Sequence, residues 1–413
     1  MKTPDLKFRF AWSFPCLVAL SMAAFAAEVA AGDRRFYRIT AAPGTLIESL
    51  TLNGSLSWTN PAAEGTYLIE TGTDLNTWQP WARGFVTGTS SSLKVSDPAT
   101  PPGMSYIPGG YFTMGDNVAV TFGNIVHKVI VSPFYISSRE TTVGQAREVF
   151  QWGLDHGKLQ TGTEPPNYTT LTNTEGDPKF LTIVNSGKSI LRLTGTTLSL
   201  APPLPAQPPA IAWSAAHPIT AITWYGAVVY CNFRSEMEGK EPCYNLNDWT
   251  CDFQKSGYRL PTESEWEKAA RGGMEGLRFP WGDTITHSEA NYNSTTANSY
   301  DISPTRSTHP VYAANRPIYT APTGSFAPNG YGLYDVCGNV YEWCWDTAGS
   351  YNGQTRTDPK GPDVPAASGN PMFKGGSFLT AAERVLLASR YVGYPRDFTH
   401  EDIGFRVALN AAP

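Results

Sequence analysis

Pro261-Thr262-Glu263-Ser264-Glu265-Trp266-Glu267-Lys268-Ala269-Ala270-Arg271 is followed at once by Gly272-Gly273. Thr262 has the side chain of a helix N-cap, and Glu265 three residues later completes a capping box, so the spacing predicts a helix starting at Glu263. The two glycines end it early. Glu263, Glu265 and Glu267 recur every second residue, which fans them around the first turns, where they favour the helix dipole. A hydrolase built on paired carboxylates would need two acids converging on one cleft, and spacing along a helix does not supply that. Working outward, two more helices are expected, one from about Thr223 to Met237 and one from Val143 to His156. The rest of the chain reads as short strands and loops.

Composition agrees. The 413 residues include 38 Gly, 33 Pro, 12 Trp and 20 Tyr, a load that disfavours long helices and excludes a helical bundle. With 41% hydrophobic and 16% charged residues the chain can bury a sizeable core, which excludes disorder over most of its length. A formal charge of −5 leaves no basic field for a phosphate backbone, so nucleic acid is not an expected partner.

Lys2, Lys7 and Arg9 precede an apolar run from Phe10 to Phe25, and Ala24-Phe25-Ala26 has the small-residue pattern of a cleavage site. Residues 1–26 are therefore expected to be a signal peptide. The run is interrupted by Pro15 and is short for a membrane span, so a secreted, periplasmic or extracellular protein without a transmembrane segment is expected after cleavage. Five cysteines follow the signal: Cys231, Cys243, Cys251, Cys337 and Cys344. An odd number in an oxidising compartment leaves at least one thiol without an intrachain partner, and Cys243 with Cys251 is the expected disulfide because the stretch between them can turn back on itself.

Between residues 35 and 98, runs such as Ser55-Leu56-Ser57-Trp58-Thr59 and Thr66-Tyr67-Leu68-Ile69-Glu70 alternate polar and apolar side chains between glycine turns. This reads as a small β-sandwich-like module, similar to the fibronectin-like modules of bacterial surface proteins, with Trp58, Trp78 and Trp81 as core aromatics. Residues 99–103, Ala-Thr-Pro-Pro-Gly, read as a linker, and 104–410 as one larger domain. An insertion at about 157–213 carries an expected hairpin from Lys179 to Leu193 and a solvated loop from Pro202 to Pro209.

The larger domain holds an ordered series of motifs: Ile107-Pro108-Gly109-Gly110-Tyr111-Phe112-Thr113-Met114-Gly115; Arg259-Leu260-Pro261-Thr262-Glu263-Ser264-Glu265-Trp266-Glu267; Phe279-Pro280-Trp281-Gly282; Asn329-Gly330-Tyr331-Gly332-Leu333-Tyr334-Asp335; Gly338-Asn339-Val340-Tyr341-Glu342-Trp343; Lys374-Gly375-Gly376-Ser377-Phe378; and Gly404-Phe405-Arg406-Val407. In content and order this set resembles the formylglycine-generating enzyme, or sulfatase-modifying factor, domain family. The resemblance implies an α+β fold, irregular and C-type-lectin-like, here preceded by the small all-β module. It also implies an oxidase that converts a sulfatase cysteine to formylglycine with a copper ion held by two thiolates.

Those thiolates are missing. In the family they stand three and eight residues after the Ser of the Gly-Gly-Ser segment, which from Ser377 falls on Thr380 and Val385. Neither side chain can hold soft Cu(I), and Cys337 and Cys344 lie in a different loop. No catalytic residue is assigned, copper is not expected, and the domain reads as a binding protein for a peptide or glycan, with enzymatic conversion of a sulfatase cysteine, or another reaction in the same groove, as the alternative. Ser377 and Tyr341 would border that groove, although Gly-Gly-Ser also suits a tight turn. The resemblance further implies a structural calcium site from the side chains of Asp335 and Glu342 and the carbonyls of Gly338 and Val340, hard oxygen donors gathered by one curled loop. A second would use the Asn291 side chain and the Tyr292 carbonyl, with Asp301 a possible contributor. Trp343 and Trp345 read as core, His217 as structural, and Arg390 and Arg406 as partners of buried carboxylates.

Overall fold

The structure, a computed structural model, describes residues 22–411 apart from 29–33, 41–45, 51–54, 60–64, 73–76, 117–124, 165–167, 203–212 and 313–319 and the single positions 87, 89, 96, 98 and 188. The first twenty-one residues, most of the expected signal peptide, and nearly all of the expected loop from Pro202 to Pro209 lie outside the described residues. Residues Met22–Glu28 form a strand paired antiparallel with Arg34–Thr40, so the expected cleavage position falls inside a hydrogen-bonded ladder.

The alternating runs do build two facing sheets. One has the order 22–28, 34–40, 65–72, 79–86, and the other 46–50, 55–59, 90–94. Leu56 and Trp58 point inward while Ser55, Ser57 and Thr59 are half-exposed, and Trp58 meets Tyr67 of the other sheet edge-on at 4.9 Å. Trp81 also joins the core, donating from Nε1 to the Val95 carbonyl at 2.7 Å. Trp78 differs from the expectation. It is half-buried, with the Arg38 guanidinium 4.6 Å from its ring centroid, because it sits just before its strand begins.

The expected linker is an ordered turn. Asp97 accepts from Lys94 Nζ, from the Ala99 backbone N–H and from the Tyr135 hydroxyl, which ties the end of the module to the next domain's sheet. Module and domain share one continuous apolar core in which Trp58, Ile69 and Trp81 belong with Phe112, Trp266 and Met372. Tyr331 stacks edge-on against Trp81 at 4.9 Å and donates its hydroxyl to the Trp81 carbonyl.

All three expected helices are present: α1 at Val143–Asp155, α2 at Trp224–Met237 and α3 at Glu263–Arg271. Thr142, Thr223 and Thr262 cap them, the first and third with full capping boxes. Gly272 ends α3 in the left-handed conformation (φ 60°). Gly273, at φ 88°, has a different duty: a Cβ there would lie 2.0 Å from the Pro80 carbonyl oxygen, so only glycine lets the module's strand approach the helix end.

The strands of the domain are short, and its framework is a mixed sheet ordered 391–392, 371–374, 341–347, 403–404. A second sheet sets Phe134–Ser137 between Met104–Ile107 and the C-terminal strand Ala408–Asn410, so both ends of the domain close on one strand. In the insertion the pairing departs from the expected hairpin. Phe180–Val184 pairs with Tyr168–Asn173 in a three-stranded sheet, and the hairpin is Leu191–Thr194 with Thr197–Leu200, turning at Gly195 with φ 59°. Asn185 separates the two, its side chain bonding both the N–H and the C=O of Leu193 in place of a strand neighbour. The expected Cys243–Cys251 disulfide is not formed. The two thiols are free and hydrogen-bond to each other across the short pairing of Tyr244–Asn245 with Thr250–Cys251.

The glutamates of α3 do more than line a helix terminus, for the helix is buried all round and each acid holds a cation. Glu263 takes Arg390 through two bonds of 2.6 and 3.0 Å, Glu265 takes Arg259 through two of 2.7 Å, and Glu267 takes Lys374 at 3.0 Å and Arg271 at 2.8 Å. Burial pushes the Glu267 carboxyl up, but Lys374 and Arg271 outweigh it and hold the group down at about 2. Removing one partner leaves a buried charge alone, so Arg390→Met should lower stability by about 3–5 kcal/mol, and adding Glu263→Gln should recover part of that loss in urea unfolding.

Candidate functional site

The Gly-Gly-Ser segment leaves the strand Pro371–Lys374 and closes as a turn: the Ser377 N–H donates to Thr380 Oγ1 at 2.9 Å, and that hydroxyl donates back to the Ser377 carbonyl at 3.0 Å. Ser377 is fully buried. Its hydroxyl donates to Asp402 Oδ2 at 2.6 Å and accepts from the Leu379 N–H, so it is committed to the turn and lies beneath the groove rather than open to a ligand. Asp402 Oδ1 in turn meets His400 Nδ1 at 2.6 Å. The order Ser377, Asp402, His400 puts the carboxylate in the middle, so the imidazole does not reach the hydroxyl as a base would have to.

Tyr341, almost buried, forms the inner wall. Its hydroxyl bonds the Thr380 side chain, and burial, with Asp402 nearby, raises its pKa although Arg384 opposes the shift. Its ring lies 5.4 Å from Phe373 and 5.5 Å from Tyr391, over which Arg384 stacks at 4.6 Å. The strip continues to Tyr394, 45% exposed and 4.0 Å from Phe398, with exposed Leu379 on the 377–380 turn. The site is thus a strip of packed aromatic rings with Arg384, His400 and Asp402 as its polar groups, and it pairs no nucleophile with a base. His400, Asp402 and Tyr394 carried no spacing signal, because they meet Ser377 and Phe373 only through the sheet that brings 391–392 and 403–404 alongside 371–374 and 341–347.

The positions corresponding to copper ligands are filled for other purposes. Thr380 holds the turn, and Val385 is buried against Gly376, where a Cβ would meet it at 2.5 Å. Cys337 and Cys344 are buried, and burial pushes both thiols up, so neither is a ready thiolate.

The loop expected to hold calcium curls as anticipated, with left-handed backbone at Asp335 (φ 56°), Gly338 (φ 88°) and Asn339 (φ 62°). Glu342 is not free. Arg406 grips both its oxygens at 2.6 Å, and Trp266 Nε1 adds a bond of 2.6 Å. Asp335 bonds the Gly324 N–H through Oδ2, while its buried Oδ1 has no hydrogen-bond partner. Glu140, to which the sequence reading gave no metal role, joins this cluster: Oε2 accepts from Asn339 Nδ2 at 2.8 Å and Oε1 is buried without a partner. Burial, then the charges of Asp335 and Glu342, push the Glu140 carboxyl well up, and burial lifts Asp335 to about 6 against the pull of the Gly324 N–H and Arg406. Two orphaned carboxylate oxygens in one acidic pocket suit a hard cation. Among the described residues, however, no group of three or more His, Cys, Asp or Glu side chains is arranged to hold a metal, so carbonyls would have to complete the shell.

The residues of the second expected site make protein bonds of their own. Asn291 Nδ2 donates to Asn339 Oδ1 at 3.2 Å, and the Tyr292 carbonyl lies 3.2 Å from His287 Nε2. Asp301 receives the Tyr292 and Ser294 hydroxyls, the Thr295 and Ser303 N–H groups and Arg306. Arg390 and Arg406 hold buried carboxylates, Trp343 is core, and His217 is buried 2.9 Å from Thr320 Oγ1, all as read from the sequence, whereas Trp345 is half-buried and packs against the core from its edge.

Residues 90–411 match the family described as sulfatase-modifying factor enzyme 1-like domain. A formylglycine-generating enzyme of Streptomyces coelicolor is 29% identical over 76% of this chain and 91% of its own length. One from Thermomonospora curvata is 35% identical over 47% of this chain, and the match covers 56% of that relative. Among solved structures, Treponema denticola variable protein 1 is similar at 23% identity with a TM-score of 0.49, covering 75% of this chain and 95% of that one. No helix among the described residues is long and apolar enough to cross a membrane.

Beside the groove's sheet, Asp346 Oδ2 accepts the Glu263 N–H at 2.7 Å while Oδ1 is buried without a partner. Burial and the nearby Glu263 push its carboxyl from 3.8 to about 8. A carboxyl that binds its proton more tightly in the folded state contributes fully below its unfolded pKa and loses that contribution as pH rises through the folded value. Asp346→Asn keeps the acceptor without the charge, so its Tm relative to the parent should rise between about pH 4 and about pH 8 and level off above, read by thermal unfolding across pH.

Proposed function

The chain belongs to the sulfatase-modifying factor enzyme 1-like domain family, and from that we propose that it is an exported binding protein on the family's fold rather than a formylglycine-generating oxidase. The carrying observation is the side chains at 380 and 385. A threonine hydroxyl spent on Ser377 and a buried valine cannot supply two thiolates, and the buried thiols of Cys337 and Cys344 do not replace them. Copper does not fit these residues.

The groove from Tyr341 to Tyr394 supports the binding reading. It offers fixed aromatic rings for apolar contact and Arg384, His400 and Asp402 for orientation, which suits a peptide or glycan segment lying across the 377–380 turn. Calcium fits in part. Asp335 would hold it, helped by Glu140 and by the carbonyls of Gly338 and Val340, whereas Glu342 serves Arg406 instead. Bound there, the ion would neutralise two buried acids and fix the loop that leads into the Tyr341 strand. The apolar run from Phe10 to Phe25 supports export.

The names of the relatives favour a second reading, oxidation of a sulfatase cysteine. Metal analysis of the purified chain, with an oxygen-dependent assay on a cysteine-containing sulfatase-motif peptide and added Cu(I), separates the two. No aldehyde product is expected, and stoichiometric copper with aldehyde formation would overturn the binding reading. Calcium at roughly 1 mM should raise Tm, and Asp335→Asn should abolish that rise.

A further inference from the structure

A cleft of about 430 Å³ opens away from the groove, where the start of the module's strand 79–86 meets the end of α3, the Phe279-Pro280-Trp281-Gly282 turn and the segment 327–330. Its floor is backbone. A Cβ at Gly330 would lie 2.3 Å from the Gly272 carbonyl oxygen, so the two glycines let main chain approach main chain and leave the space above them open.

Two tryptophans line it, and both are held in place. Phe279 and Gly282 exchange backbone hydrogen bonds of 2.9 and 3.2 Å, the Trp281 ring lies parallel to Phe279 within 6°, and its Nε1 donates to the Thr284 carbonyl at 2.9 Å. Trp281 is nevertheless 39% exposed. Trp78 is backed by Arg38, itself fixed by two bonds of 2.6 and 2.8 Å to Glu70. Nothing in the packing requires a large indole on an exposed four-residue turn, since Phe279 already fills the core beneath it.

The polar groups between the rings are unspent. Glu289 takes the Thr286 N–H and hydroxyl with Oε2, at 2.8 and 2.5 Å, which fixes the carboxylate and leaves Oε1 without a protein bond. Among the described residues the Gln79 amide and the Ser288 hydroxyl have no side-chain hydrogen bond. Among the described lining residues none is Lys, Arg or His, so the cleft has nothing to offer a phosphate, a sulfate or an acidic peptide. A proline-rich peptide docks between aromatic rings with an indole N–H free for its carbonyl, and Trp281 Nε1 is already engaged. An uncharged sugar matches what remains: weakly positive C–H faces for the negative ring faces, and hydroxyls that donate to the free carboxylate oxygen and exchange bonds with an amide.

We propose that this cleft between module and domain is a binding site for a neutral glycan, with Trp281 and Trp78 as stacking platforms and Glu289 and Gln79 as its hydroxyl contacts. The site is independent of the groove at Tyr341 and stands whether or not that groove binds a ligand.

The test titrates the full chain with cellotetraose, laminaritetraose, mannotetraose and chitotetraose by calorimetry and tryptophan fluorescence. At least one should bind saturably. Trp281→Ala should weaken it by about tenfold or more, which is ~1.4 kcal/mol, and Trp281→Phe by less. Glu289→Gln, a substitution at a half-buried surface acid, should weaken it while leaving Tm unchanged, so the outcome does not hang on one variant. Binding that survives Trp281→Ala and Glu289→Gln but is lost in Tyr394→Ala would place the glycan in the groove and overturn the proposal. So would the absence of saturation by all four sugars up to about 10 mM, or saturation by decaproline alone with loss in Trp281→Ala.

Discussion

Buried ion pairs anchored on α3 and the neighbouring strand hold this molecule together. Glu263, Glu265 and Glu267 reach Arg390, Arg259, Lys374 and Arg271, and Glu342 on the adjoining strand reaches Arg406, all with little or no solvent exposure. Such pairs are costly to desolvate and add little net stability over a well-packed apolar core. What they impose here is geometry. The segments that carry Arg390 and Arg406 have almost no regular structure, and a bidentate guanidinium–carboxylate pair fixes both position and orientation where no ladder of backbone bonds does so. The groove turn at 377–380 and the Tyr341 strand inherit their placement from the same set, because Lys374 and Glu342 lie in facing register on the two strands that frame the groove.

The helices were legible because their signals are local. A threonine cap, a glutamate or glutamine three residues on and a glycine at the end are all read within one segment, as at Thr262 and Gly272. The module's sandwich was legible for the same reason, since alternation at Leu56, Trp58, Tyr67 and Ile69 is a local pattern. The resemblance carried the domain's fold, and the arginines were read as carboxylate partners from their positions in it. What failed was partner choice. A hairpin was expected at 179–193, but the strand 180–184 pairs backwards to 168–173, and the side chain of Asn185 ends that sheet, which no turn signal announces.

The candidate site divides along the same line. Thr380 and Val385 could be judged from the sequence because losing a thiolate is a property of one position. Glu342 could not, because its freedom to hold a cation depends on whether Arg406, 64 residues later, takes both its oxygens. Glu140 and Asp335 entered one acidic pocket from distant segments, so the pair of unsatisfied oxygens that suits a cation appears only in three dimensions. Ser377 shows the converse: a hydroxyl that looks available in a Gly-Gly-Ser motif is consumed by Asp402, 25 residues downstream.

The C-terminal strand carries one more consequence. Ala408–Asn410 pairs with Phe134–Ser137, and Arg406 just before it is the counter-ion of Glu342. Until the segment 406–410 is in place, Glu342 lacks its counter-ion and the strand Phe134–Ser137 lacks one of its two neighbours. Closure of the domain therefore depends on contacts between segments far apart in sequence, the kind whose loop-closure cost is met late in folding.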